Sequence, residues 1–279
     1  MKKRRSIRLL AFLSAAVLGV TALGGCGKAV ASEKEKVTLI TTATLKPFTY
    51  YDEDNNLQGY EVELIKKVFE ALPEYDVQIE VADFPALFGG LDSDYYQIGF
   101  NNFSYNEKRA EKYIYTNGIF DNHYVIVVPE GNDSIHQLSD LAGLTTRVTP
   151  GTSYATSLEL YNEEHPDAQI GLEYQEGGGT IEKTLLDVES GALDFNLLDE
   201  PMYNVYQKEF NLKIKAVRLN DEESETVGSR YGYYLVSKGH EELAAKIDEQ
   251  LAKLVADGTV KALGEKYFYG DYTPYDLYK

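Results

Sequence analysis

Val125-Ile126-Val127-Val128 is the stretch that decides the fold. Four β-branched residues without a polar interruption read as a strand covered on both faces, the pattern of a sheet packed between helices. Toward the N-terminus the chain alternates strand and helix. A strand over Val37–Thr42 precedes Gly59 and a helix over Tyr60–Leu72, where Val62, Ile65, Phe69 and Leu72 share one face and Pro73 ends the run. Val77, Ile79 and Val81 alternate with Gln78 and Glu80 as a half-buried strand. A short helix Phe84–Leu91, a strand Gln97–Phe100 and a helix from Asn106 to Tyr113 follow.

Toward the C-terminus the alternation repeats. Strands are expected at Thr145–Val148, Gln169–Tyr174, Leu193–Leu198 and Lys213–Leu219. Helices are expected at Ser153–His165, Thr180–Ser190 (closed by Gly191 at its C′ position) and Glu200–Lys208. A polar segment, Asn220–Ser229, separates these from a strand Tyr231–Ser237 and helices Glu241–Asp257 and Thr259–Phe268. Strands alternating with helices predict an α/β protein with two mostly parallel sheets. Polar crossings near Phe120–His123 and Asn220–Ser229 divide them into two lobes.

The start of the chain predicts its compartment. Lys2, Lys3, Arg4, Arg5 and Arg8 precede an apolar run, Leu9–Leu23, of about 15 residues, too short to span a bilayer and shaped as a signal-peptide core. It ends in Leu23-Gly24-Gly25-Cys26, which resembles the lipobox of bacterial lipoproteins. Cys26 is the single cysteine of 279 residues, so an internal disulfide is impossible and lipidation is the expected role. Cleavage after residue 25 removes the five basic residues and takes the formal charge from −18 to −23. So acidic a chain repels nucleic acid and anionic lipid. Membrane association is therefore expected from the anchor, through a polar tether at Gly27–Lys36.

Three elements could carry binding chemistry. In Asn101-Asn102-Phe103-Ser104-Tyr105-Asn106-Glu107-Lys108-Arg109, a strand gives way to a helix with Asn106 as N-cap and Arg109 at N3. Its guanidinium can reach back over the turn to join Asn102, Ser104 and free backbone amides around a carboxylate. The competing role is a surface pair with Glu107 or Glu111. Pro150-Gly151-Thr152-Ser153 is a strand–turn–helix junction, read either as an anion-accepting nest or as an ordinary cap. It lacks the lysine and glycine spacing of a phosphate-binding loop. Asp199 stands at a strand's carboxyl end, where α/β proteins bind ligands, and could hold an ammonium or cap the helix at Pro201. Phe48 and Phe84 are pocket walls or core. With four scattered histidines and no HExxH or GxSxG element, neither a metal, a cofactor nor a catalytic nucleophile is indicated.

Together, Pro47-Phe48-Thr49-Tyr50, Gly59-Tyr60-Glu61-Val62-Glu63-Leu64, Phe84-Pro85-Ala86-Leu87, the Asn101–Arg109 segment, Gly151-Thr152-Ser153 and Ser190-Gly191-Ala192-Leu193-Asp194 with Asp199 resemble solute-binding protein family 3. These are the polar amino acid–binding proteins of ABC importers. The resemblance implies a two-lobed, type II periplasmic-binding-protein-like fold. It places residues 37–121 and 227–279 in lobe 1 and 124–224 in lobe 2, with a hinge near 120–124 and 222–229.

The resemblance further implies that Arg109, Ser104, Thr152 and Ser153 hold a ligand α-carboxylate, and Asp199 with Asn102 the α-ammonium. Phe84, Phe48, Leu45, Asn101 and Thr149 would line the side-chain pocket. Gly90-Leu91-Asp92 with Tyr96, and Asp187-Val188-Glu189-Ser190-Gly191, look most like the cystine-binding branch. The implied partners are a cystine-like amino acid, an ABC permease and the membrane; a monomer without enzymatic activity is expected. The rivals are a cyclohexadienyl dehydratase-like enzyme and the ligand-sensing subunit of a surface receptor.

Overall fold

The computed structural model describes residues 34–175 and 180–279, so Cys26 and the expected leader lie outside the described residues. In chain order the elements begin with β1 (Glu35–Thr41), β2 (Thr44–Leu45), β3 (Thr49–Tyr51), β4 (Leu57–Gln58), α1 (Tyr60–Glu70) and β5 (Tyr75–Val81). Next are α2 (Phe84–Asp92), β6 (Ile98–Ser104), α3 (Glu107–Ala110), β7 (Tyr113–Tyr115) and β8 (Phe120–Asp121). The middle of the chain supplies β9 (Tyr124–Pro129), β10 (Thr145–Val148), α4 (Ser153–Glu164), β11 (Gly171–Tyr174), α5 (Ile181–Glu189) and β12 (Asn196–Asp199). Then come α6 (Glu200–Phe210), β13 (Ile214–Arg218), α7 (Asp221–Val227), β14 (Tyr231–Ser237), α8 (Glu241–Ala256) and α9 (Thr259–Phe268).

The first sheet runs β5-β1-β6-β14-β7, with β8 also paired to β14. Strands β5 and β6 flank β1 in parallel, and β14, arriving from far along the chain, runs antiparallel to β6, β7 and β8. The Val125–Val128 run is wholly buried, as its composition requires, and lies in β9 at the centre of β12-β9-β13. Both of its ladders are antiparallel. The expectation of mostly parallel pairing is therefore corrected for this sheet: β12 and β13 run alike, but β9 sits between them. Strands β10 and β11 form a separate parallel pair.

Gly59 shows how sequence sets the approach of α1. At φ 130° it takes a backbone shape that side chains resist, and a Cβ there would stand 2.2 Å from the Phe48 carbonyl oxygen. The amides of Tyr60 and Glu61 then donate to the carbonyls of Pro47 and Phe48 at 2.9 and 3.1 Å. Helix α1 turns Val62, Leu64, Ile65 and Val68 into the core and takes Glu61 in with them.

Two sequence expectations change. The helix expected over 106–113 stops at Ala110, because Tyr113–Tyr115 pair as β7 with Leu235–Ser237 of β14. A strand partner and aromatic residues outweigh continued helix here. The polar segment Asn220–Ser229 is mostly helix α7, opened by a capping box between Asn220 and Glu223. Strand β1 also begins at Glu35, inside the expected tether. No helix among the described residues is long and apolar enough to cross a membrane.

Candidate functional site

The site begins with a defect in a ladder. Leu235 of β14 faces Gly99 and Tyr233 faces Phe103, so Phe100, Asn101 and Asn102 bulge opposite Tyr234. Asn102 takes a left-handed φ of 51°, which asparagine tolerates better than most residues. Its amide turns to Glu61 of α1 and donates to Oε2 at 2.9 Å. Its side-chain Nδ2 donates to Asp199 Oδ2 at 2.7 Å. Asn101 points elsewhere: its buried Oδ1 accepts from the Thr42 hydroxyl at 2.7 Å and the Thr42 amide at 3.3 Å.

Asp199 ends β12 and occupies the N-cap position of α6, yet its side chain makes no cap hydrogen bond. Pro201 lies at N2 and lacks the N–H that an N-cap carboxylate would take. The buried carboxylate instead accepts from three segments: Asn102 of β6, Asn122 of the β8–β9 crossing, and Tyr154 of α4, whose hydroxyl lies at 2.6 Å. Burial pushes its pKa up, and the three donors pull it partly back. Glu61, equally buried, has one donor. Its Oε1 has no partner among the described residues. Burial, with Asp199 adding repulsion, pushes its carboxyl up to about 8.

The cap expected before Arg109 forms, but the Arg109 guanidinium bonds the Gly151 carbonyl and neither Asn102 nor Ser104. Asn106 caps α3, its Oδ1 accepting the Arg109 amide at 3.1 Å. The half-buried guanidinium lies 5.2 Å from the Phe88 ring and 5.4 Å from that of Phe103, and its Nη2 donates to the Gly151 carbonyl at 3.2 Å. Burial pulls its pKa down, and Tyr115 opposes that shift. Gly151, with φ 79°, makes the turn into α4. Thr152 caps that helix, accepting the Ala155 amide at 3.4 Å and donating to the Thr149 carbonyl at 2.8 Å. The hydroxyls of Ser104 and Ser153 meet at 2.6 Å. The Phe84 ring packs edge-on to Phe88 and lies 3.9 Å from where a Gly151 side chain would begin.

The structure thus gathers Arg109, Ser104, Ser153, Thr152, Thr149 and Phe84 on one side, and Asp199 with Asn102 on the other. It does not bring Phe48 to them. That ring is wholly buried in the core, 5.0 Å from Phe120 and 5.2 Å from Phe268. Leu45 is half-buried against the same core. For Phe48 the cause is Gly59, which folds α1 onto the turn that carries the ring, so its apolar surface is used internally, whereas Leu45 keeps part of its surface exposed.

Asn122, Tyr154 and Glu61 complete the polar arrangement and were not singled out in the sequence. Asn122 lies in the polar crossing and Tyr154 directly follows Ser153, so position alone pointed toward them. Glu61 gave no such signal inside an amphipathic helix.

A two-lobed α/β frame is the build of an extracytoplasmic solute-binding protein, and here an arginine and a buried aspartate both bond to the short stretch Gly151–Tyr154. Residues 37–270 match the bacterial extracellular solute-binding proteins, family 3, and the chain belongs to that family. Two L-cystine-binding proteins of Bacillus subtilis (strain 168) are similar over nearly full length. TcyJ is 27% identical over 98% of both chains, and TcyK is 27% identical over 94% of this chain and 97% of its own. Among solved structures, one from work on glutathione import by GshT and the cystine ABC importer TcyBC of Streptococcus mutans superposes with a TM-score of 0.79. It is 33% identical and covers 86% of this chain and 98% of that one.

Proposed function

We propose that the protein captures a cystine-like amino acid between its lobes, without chemical conversion, and hands it to an ABC permease. Arg109, with Ser104, Ser153 and the Thr152 turn, receives the α-carboxylate; Asp199 and Asn102 receive the α-ammonium. Phe84 and Thr149 line the side-chain end. The observation that carries this reading is that a half-buried guanidinium and a buried carboxylate from separate segments both bond to one short stretch, Gly151–Tyr154. That is the charge pattern of a zwitterion.

The lobes are residues 37–121 with 227–279, and 124–224. The crossing strands are tied by the Asn122 amide donating to the Arg230 carbonyl and by the Tyr124 hydroxyl donating to the Ser229 carbonyl at 3.0 Å. With α7 filling 221–227, the second crossing narrows to about 228–230. Ligand contacting both lobes stabilises the closed form, which is the signal a permease reads. Cys26 anchors the protein by a lipid on its sulfur, with the following residues as tether.

Isothermal titration calorimetry with cystine, glutathione, arginine and glutamine tests the reading. Glutathione belongs in the panel because its γ-glutamyl end carries the same free α-amino and α-carboxylate groups. Arg109→Ala removes the partner of a largely desolvated carboxylate and should cost about 3–5 kcal/mol, more than 100-fold in affinity. Wild-type affinity in Arg109→Ala would put the carboxylate elsewhere. Prephenate and arogenate should be returned unchanged.

A further inference from the structure

We infer that Glu61 is a positioning residue for the ammonium site, holding Asn102 against Asp199, and that its carboxyl releases its proton to solvent when a cationic group binds there. This rests on the proposed role of Asp199. The geometry is a relay of three residues. The β6 bulge strips the Asn102 amide of a ladder partner, and Glu61 Oε2 accepts it at 2.9 Å. Only with that left-handed backbone held does the Asn102 side chain cross to Asp199 at 2.7 Å. Helix α1 thus sets the pose of a residue in β6 that touches a residue ending β12.

Two buried carboxyls this close in one hydrogen-bonded chain do not both ionise readily, and the donor count decides which holds the proton. Asp199 has three donors, Asn102, Asn122 and Tyr154; Glu61 has one, and its Oε1 stands alone among the described residues. The other titratable groups facing Glu61 are the phenols of Tyr60 and Tyr234, both held neutral by burial, so among the described residues no cation offsets its charge. Asp199 therefore carries the charge and Glu61 the proton, in keeping with a carboxyl pushed up to about 8. An ammonium at Asp199 reverses the repulsion. The Glu61 O–H bond breaks, its electron pair stays on the carboxylate and its proton passes to buffer.

The test is calorimetry with the amino acid that wild type binds best, run from pH 6 to pH 8 in two buffers of different ionisation enthalpy. Wild-type affinity should rise by roughly tenfold or more across this range, with proton release visible as a buffer-dependent enthalpy. Glu61→Gln keeps an acceptor for the Asn102 amide but has no proton to lose; its affinity should be flat with pH and its enthalpy independent of buffer. Glu61→Leu loses the acceptor and should bind at least tenfold more weakly at every pH, a loss that Glu61→Gln does not share. Flat wild-type affinity, or a wild-type slope kept in Glu61→Gln, overturns the inference while leaving the binding site standing. A wild type that binds no member of the panel overturns the site and the inference together.

Discussion

Asp199→Asn separates recognition from folding, because its effects on the two can be worked out from the same contacts. The substitution keeps the shape, keeps one acceptor oxygen and removes the charge. If the retained oxygen takes the Tyr154 hydroxyl and the Asn102 amide, the new NH2 group faces Asn122. The Asn122 side chain already has a buried Oδ1 with no partner among the described residues, so its amide can turn and accept that donor. Burial raises the Asp199 pKa despite its three donors, so the charge is a net cost to the ligand-free fold. Folding stability should therefore change by less than about 1 kcal/mol, a shift of at most ~4 °C in Tm for a protein of this size. Binding should behave differently. An ammonium facing a neutral amide instead of a carboxylate loses a charge-assisted pair, about 3 kcal/mol or on the order of 100-fold in Kd. Calorimetric titration and thermal unfolding on one preparation give both numbers. Binding within threefold of wild type would refute the ammonium role, and a Tm loss above ~10 °C would make Asp199 a folding residue.

Glu61→Gln should also alter stability without ligand. The folded pKa of Glu61, about 8, lies above its ordinary 4.5, so the proton favours the native state. Its contribution is whole below the ordinary value and is lost as pH rises toward 8. Glu61→Gln should therefore match wild type near pH 4 and exceed it by about 3 kcal/mol near pH 7 in urea unfolding; equal stability at both pH values would contradict this. Phe48→Ala removes a wholly buried ring from the Phe120–Phe268 cluster and should cost about 3–5 kcal/mol of stability. Ligand affinity measured well below its Tm should stay within a few-fold of wild type; a change in ligand preference would return Phe48 to the pocket.

Much of the fold was legible because periodicity reports burial. The Val125–Val128 run marked a strand covered on both faces, and the spacing of Val62 and Ile65 marked the buried face of α1. Tyr113–Tyr115 escaped because three residues carry too little pattern to betray a partner strand more than a hundred residues away. Helix α7 escaped because composition suggested a loop, although Asn220 and Glu223 spelled out its capping box. At the site, Arg109 was legible from the cap at Asn106. Asp199 stayed open between cap and ligand, and Pro201 was the unused clue, since a proline at N2 leaves an N-cap carboxylate with one fewer amide to accept. Phe48 was misplaced because an aromatic at a strand end looks the same whether it faces a cleft or a core. Only the three-dimensional path set by Gly59 decides between them.

The Arg109 and Asp199 ends of the proposed site differ in what they already hold, and this orders their expected contributions. Asp199 accepts from three side chains, so an ammonium arriving there shares or displaces donors already present. What is new at that end is charge, and charge is what Asn102, Asn122 and Tyr154 lack. On the proposed role of Asp199, recognition there is mainly a test of sign, favouring a cationic group at that end over a neutral or anionic one. The Arg109 guanidinium donates to the Gly151 carbonyl at 3.2 Å, while the Phe88 and Phe103 rings flank it. A carboxylate meeting the guanidinium would add charge-assisted bonds to a side chain already held, so less entropy would be lost on binding. On the proposed roles, the Arg109 end would supply more of the affinity and the Asp199 end more of the discrimination. Because the Gly151 carbonyl that Arg109 touches opens the helix carrying Tyr154, which in turn bonds Asp199, one short segment links both ends. In the proposed mode, a carboxylate taken up by Arg109 would therefore also brace Tyr154 against Asp199.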